Sequence, residues 1–322
     1  MCAKKENGGC KMKKDFLSTR FGIEIEFTGI TRADAALVLQ HNIGSRNCRH
    51  VNSYDARTVT GPDGRKWKIV RDGSIRMQTY RNGALRWTTS QEYKVEFVSP
   101  ILTYRSDIEL LQKIIRDFRK LGAVVNDTCG IHIHLDGVDH TAKSIRNFIN
   151  IVASHNDLLY KALNVKIKRM NYCKKLDEKF VKEIAKQRPK TMQQIEDIWY
   201  SGQSGSRYEH YNDTKYHFLN LHSFFHGHGT VELRGFNSTL HAGVVRSYIV
   251  LALALNHQAL NAKSVRKDKS KVQDDNPKFA MRTYLNRLGL IGDEFKACRK
   301  HLVKFLDGNA AWRSGTAGVL SA

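Results

Sequence analysis

Along four stretches of this chain, apolar and polar residues alternate with a period of two, the signature of a strand with one buried face. In residues 21–27, Phe21, Ile23, Ile25 and Phe27 point one way, and Gly22, Glu24 and Glu26 the other. Residues 130–136 repeat the design, setting Ile131, Ile133 and Leu135 against His132, His134 and Asp136. Glu96 within 93–97, and Glu232 with Arg234 within 230–234, hold the polar parity of two further strands. Between 57 and 100 the pattern predicts a β-meander with strands at 67–70 and 93–97. Its turns fall at Gly61-Pro62-Asp63-Gly64 and Arg81-Asn82-Gly83. A strand at 216–222, a turn through His226-Gly227-His228-Gly229 and the 230–234 strand form a predicted hairpin.

Helical spacing governs the intervening stretches. A short helix is predicted at 31–40. A longer one follows Ser106 as its cap, with Ile108, Leu111, Ile115 and Phe118 on one side, and stops at Gly122. The 142–163 stretch carries Ile145, Phe148, Val152 and Leu159 on one side, and a largely apolar helix is predicted at 242–261. A charged linker at 263–277 precedes a last helical segment ending near residue 306. Strands and helices mix without a β-α-β rhythm, which argues for an α+β fold. The economical architecture is one antiparallel sheet whose apolar face packs on helices while its other face gathers the glutamates, histidines and arginine. We expect a solvated basic tail at 1–18, then one domain over 19–322.

Composition changes this picture in two places. With 53 Lys and Arg against 31 Asp and Glu, the 322-residue chain carries +22 at pH 7, a field that favours anionic partners. Much of that charge lies at 164–190, where ten basic residues meet three acidic ones. We read 164–206 as a basic helical insert whose glycine- and serine-rich end, 201–206, is a candidate lid. Six scattered cysteines without a C-x-x-C pair argue against a zinc knuckle or a disulfide scaffold. The first 14 residues are basic and polar with no apolar run behind them, and the longest apolar run, 244–255, is broken by Arg246 and Ser247. A soluble cytoplasmic protein with no membrane partner is the expectation.

If the polar parities share one face, chemistry follows. Carboxylates on alternate residues stand roughly 6–7 Å apart, and several facing one another raise each other's pKa unless cations neutralise them. Oxygen ligands with an occasional imidazole suit Mg²⁺ or Mn²⁺ better than zinc or copper. Each residue alone has a plainer role. His132 or His134 alone reads as an ordinary structural histidine, Arg234 beside Glu232 as a surface ion pair, His226 and His228 as exposed turn residues. Asp72-Gly73-Ser74 reads as a turn, and Lys215 as a lysine at a loop-to-strand junction. The chain has no G-x-x-x-x-G-K-[ST], G-x-G-x-x-G or H-E-x-x-H motif, so a nucleotide site would work through metals and basic side chains.

In order, Gly22-x-Glu24-x-Glu26, Asp72-Gly73-Ser74, Glu96-Phe97-Val98-Ser99-Pro100, Cys129-Gly130-x-His132-x-His134 and Val231-Glu232-x-Arg234-Gly235-Phe236 resemble the motifs of the amidoligase family, related to glutamine synthetase and glutamate–cysteine ligase. The resemblance spans roughly 21–260. It implies a curved, glutamine synthetase-like sheet forming an open funnel, ATP dependence and two or three Mg²⁺ ions. Carried over, Glu24, Glu26, Glu96, His132 and Glu232 match metal positions, and His134 and Arg234, joined by Lys215, match nucleotide or phosphate contacts. Glu26 and Arg234 take the catalytic roles, and Asn220 and Ser74 border the substrate. The expected reaction joins a carboxylate, with an acidic peptide or protein tail as the candidate, to an amine. A nucleic-acid-binding protein using the basic insert, or a metal-dependent hydrolase on the same glutamates, are the alternatives.

Overall fold

The computed structural model describes residues 15–51, 54–203 and 205–313. Its centre is β1 (Arg20–Phe27), whose Phe21, Ile23, Ile25 and Phe27 are buried, as their shared parity requires. β1 pairs antiparallel on one side with β7 (Val95–Val98) and the short β8 (Leu102–Thr103), and on the other with β9 (Gly130–Asp136). Beyond β7 lie β4 (Lys66–Val70), β3 (Arg57–Thr60) and β2 (Cys48–His50). Beyond β9 lie β11 (Thr230–Asn237) and the two-residue β10 (Leu219–Asn220). All nine strands belong to one antiparallel sheet. A separate hairpin pairs β5 (Gln78–Arg81) with β6 (Ala84–Trp87).

One face of the large sheet is packed with Ile23, Ile25, Ile69, Phe97, Ile131, Ile133 and Leu233, each fully buried. Burying each such side chain favours folding by about 1.5–3 kcal/mol. Helices α1 (Arg32–Ile43), α2 (Tyr104–Lys120), α3 (Ala142–Ala162) and α7 (Ala242–Asn261) supply the other half of this core. The local sequence starts them cleanly. Thr31 with Asp34, and Thr141 with Ser144, form capping boxes at α1 and α3. Residues 164–226 hold α4 (Glu178–Gln187), α5 (Met192–Trp199) and the short α6 (His222–His226). The chain closes with α8 (Val272–Asp275), α9 (Pro277–Arg287) and α10 (Lys296–Leu302).

Several expectations are corrected. Helix α2 begins at Tyr104, so Ser106 lies inside its first turn, while Asp107 reaches back 2.8 Å to accept from the Thr103 N–H. The 57–100 meander splits, because β5 and β6 pair only with each other. The 216–222 strand shrinks to Leu219–Asn220: Phe218 N–H donates 2.8 Å to Lys174 O in the insert, and His222 already belongs to α6. The last helical segment is two helices, and a further short one, Val272–Asp275, falls inside the expected 263–277 linker. The insert contains 3-10 turns and two short helices rather than continuous helix, and its Cys173, Leu176, Ile184, Ile195 and Trp199 join the main core. Of the expected tail, residues 1–14 lie outside the described residues, while Phe16–Ser18 forms a 3-10 turn that buries Leu17.

Candidate metal centre and active site

Register brings the polar parities together. Across β1 and β9, Glu24 stands opposite His132 and Gly22 opposite His134; across β1 and β7, Glu26 stands opposite Glu96. Across β9 and β11, Glu232 stands opposite His134. Four adjacent strands therefore present Glu96, Glu26, Glu24, His132, His134 and Glu232 on one face, as a shared sheet requires. Three overlapping groups have ligand atoms within 4.8 Å of one another: Glu24, His134 and Glu232; Glu24, Glu96 and His132; and Glu26, Asp72 and Glu96. Glu24 and Glu96 each belong to two of them.

The side chains are held individually. Glu26 Oε2 accepts from the Gly130 N–H at 2.6 Å. Glu24 Oε2 lies 2.9 Å from His132 Nδ1, and because a carboxylate only accepts, that nitrogen carries the proton. His134 Nδ1 lies 3.0 Å from Thr230 Oγ1. Its Nε2 is buried 3.3 Å from Glu24 Oε1 but makes no hydrogen bond. Glu232 accepts from Arg234 Nη1 and from Asn220 Nδ2, each at 2.6 Å.

Electrostatics divides these acids into two kinds. Burial opposes ionisation of Glu24 and Glu232. His134 and His132 outweigh it at Glu24, holding it well below the usual carboxylate range, and Arg234 with both histidines lowers Glu232. Burial, with Asp72 nearby, pushes Glu26 up to about 8 against the pull of Arg169 and the Gly130 N–H. Glu96 is raised well above its ordinary value by burial and by Glu24, Glu26 and Asp72. Burial also opposes protonation of His134, but Glu232 and Glu24 carry it up to about 9, whereas burial and Arg234 lower His132. Half of this face thus holds protons that a divalent cation would displace. Hard carboxylate oxygens, two imidazoles and an orphaned imidazole nitrogen fit Mg²⁺ or Mn²⁺.

A cavity of about 290 Å³ opens beside the carboxylates. Its walls include the carboxylates of Glu26 and Asp72, the imidazole of His132 and the cations Arg71, Arg169, Lys215 and Arg234. Lys215 Nζ sits 4.3 Å from the Tyr211 ring centroid; burial and Arg234 lower its pKa. Arg234 is a buried partner of Glu232, so the exposed ion pair expected from its spacing is corrected. His226 is half-buried and bonded to Glu196 at 2.8 Å, while His228 is exposed. Asn220, expected beside substrate, spends its amide on Glu232, and its carbonyl accepts from the His222 N–H at 2.8 Å. Ser74 borders the cavity, hydrogen-bonded to Asp72. The 201–203 part of the proposed lid lines a different groove, between α4 and α5.

Two residues escaped the sequence reading. Asp72 joins a ligand group; its turn geometry was legible but its proximity to Glu26 and Glu96 was not. Arg169, from the basic insert, is 2% exposed and donates to the carbonyls of Phe236 and, at 3.1 Å, Arg234. These carbonyls flank the register shift between Leu233 and Phe236 in β11, a bulge that frees them from the ladder. Two glycines permit the arrangement. A Cβ on Gly130 would lie 2.1 Å from the Arg169 guanidinium, and one on Gly235 1.9 Å from the Phe218 ring. Nothing in the sequence separates Arg169 from the nine other basic residues around it.

No described helix is long and apolar enough to cross a membrane. Among curated proteins, none matches this chain. The sequence model of a family described as "Putative amidoligase enzyme" matches residues 17–256, from the turn before β1 into α7, and the chain belongs to that family.

Proposed function

We propose that this member of the amidoligase family is an ATP- and Mg²⁺-dependent ligase that joins a carboxylate to an amine. The observation that carries the reading is the cavity beside the five carboxylates of the ligand groups, which Glu26 and Asp72 line together with four cations, Arg71, Arg169, Lys215 and Arg234. A metal–triphosphate needs both: acids for the cations and bases for phosphate oxygens. Glu24, Glu26, Glu96, His132 and Glu232, with Asp72, would hold Mg²⁺ or Mn²⁺, which would neutralise phosphate charge and polarise the γ-phosphoryl group. The substrate carboxylate oxygen attacks that phosphorus, ADP leaves, and the acyl phosphate then loses phosphate to the amine nitrogen, which gives up a proton. Phosphoryl transfer asks the protein chiefly for positioning and charge stabilisation. Arg234, fixed by Glu232, would meet the transferring phosphoryl, and Lys215 and His134 the neighbouring phosphate oxygens. Asn220 acts as a positioning residue through Glu232. Ser74 borders the space left for the carboxylate. Tyr172 and Tyr216, with Arg169, wall the cavity from the insert side and limit water at the acyl phosphate. A glutamine synthetase-like funnel, a cytoplasmic setting and an acidic peptide or protein tail as the carboxylate belong to the same reading, the last supported by the +22 charge.

Calorimetric titration of ATP, with Mg²⁺ and with EDTA, into wild type and Glu26→Gln tests it. Magnesium-dependent binding that the substitution weakens at least tenfold is expected, followed by ADP release only when an acid and an amine are both present. Absence of ATP binding under both conditions sinks the reading. ADP release that needs water alone would make the face hydrolytic instead.

A further inference from the structure

Away from the carboxylate face, a second groove of about 380 Å³ lies between α3, the end of α4 and the segment after α7. Among the described residues that line it, five are cations, Lys143, Arg146, Arg188, Lys263 and Lys267, and none is a carboxylate. Their origins are far apart in sequence, so folding alone gathers them. Among the described residues, Lys143, Arg146, Arg188 and Lys263 make no side-chain hydrogen bond or ion pair; Lys267 meets only Asp268, at 3.1 Å. The chain pairs many of its other cations, including Lys269 just beyond the groove, which holds Asp157 and Asp274.

Arg188 adds an independent sign. It caps α4 in the left-handed conformation, φ 47° and ψ 57°, a position that glycine fills at least cost. The arginine at that position lines the groove, where a glycine would contribute no side chain. Backbone outliers of this kind motivate a functional hypothesis. The groove lacks aromatic lining residues, which argues against stacked bases of single-stranded nucleic acid. Its volume suits a ligand of metabolite size.

We propose that this groove binds a small, multiply charged phosphate-class anion, held by Lys143, Arg146, Arg188, Lys263 and Lys267. Guanidinium groups offer paired donors to phosphate oxygens, and the lysines add point charge. Because the cations come from α3, α4 and the post-α7 segment, a bound anion would tie the insert to the helical layer.

The test is calorimetric titration of inorganic tripolyphosphate into the full chain in EDTA, where metal-assisted binding at the carboxylate face is suppressed. Binding that weakens at least tenfold in Arg146→Ala and Lys263→Ala, and is unchanged in Glu26→Gln, supports the groove. Arg188→Gly should weaken binding several-fold while leaving the melting temperature unchanged or higher, which separates the anion role from any structural one. Binding lost in Arg234→Ala but intact in the groove variants would assign the anion to the carboxylate face and overturn the proposal. So would no binding, or binding of a single-stranded oligonucleotide but not of tripolyphosphate.

Discussion

The two faces of the central sheet are made by the same strands and differ by one residue in parity, yet they are stabilised by opposite means. On one face Ile25 packs near Ile131 and Phe97, and nothing there changes between pH 5 and 9. On the other, Glu26 faces Glu96, and the protein without metal keeps protons on acids that would lose them in water. Burial adds to stability on the first face. On the second it works against charge, and the balance is left for a cation to complete. A single strand can therefore carry half a core and half a candidate metal centre.

Neighbouring substitutions break the comparison most directly. Ile25→Ala removes a fully buried side chain and should cost about 2–5 kcal/mol, read as a fall in the denaturation midpoint. Glu26→Gln, one residue on, should instead raise the stability of the metal-free protein at about pH 8 by roughly 1 kcal/mol while abolishing turnover. Equal losses in both variants would mean that the acidic face is stabilising as it stands.

Arg169→Ala probes the support between the faces. It leaves the Phe236 and Arg234 carbonyls without their donor, at about 1–3 kcal/mol, and removes a cation that favours ionised Glu26. Metal affinity should fall with stability. A variant of normal stability and metal affinity would show that the bulge is satisfied some other way.

A last effect is one of pH. Glu26 has a folded pKa of about 8 against an ordinary 4.5, so between these values the folded state binds the extra proton. Its stabilising contribution is complete below the lower value and is lost as pH rises through the upper one. His134, raised to about 9, acts in the same direction above its ordinary 6.5. In EDTA the melting temperature should fall between about pH 6 and 8 through these groups, and Mg²⁺ should restore more stability at the higher pH while releasing protons. A magnesium effect independent of pH would contradict the assigned proton holders.

Much of this site could be read from the sequence because strand parity is a local property. Glu24, Glu26, His132, His134 and Glu232 each declare their side of the sheet within five residues, and α7 matched its expected bounds because apolar residues dominate its length. What remained hidden depends on non-local approach. The 216–222 strand yielded residues to the insert through Lys174, Ser106 lost the cap position to a helix starting two residues earlier, and Arg169 found its carbonyls across more than sixty residues. Asn220 reads as a polar residue near substrate, but its role is fixed by a carboxylate on the next strand.

The position of β1 also bears on how the chain reaches this state. Among the described strands it comes first in chain order and is central in the sheet, but Phe97 and His132, which pair with Ile25 and Glu24, come roughly 70 and 110 residues later. Glu232 and Arg234 come another hundred residues on. During synthesis, β1 therefore waits with both edges unpaired and a greasy face exposed, the state most prone to wrong strand pairing. Its two glutamates then have a use before any chemistry begins, since like charges on adjoining chains discourage β1 from pairing with its own copies until β9 arrives.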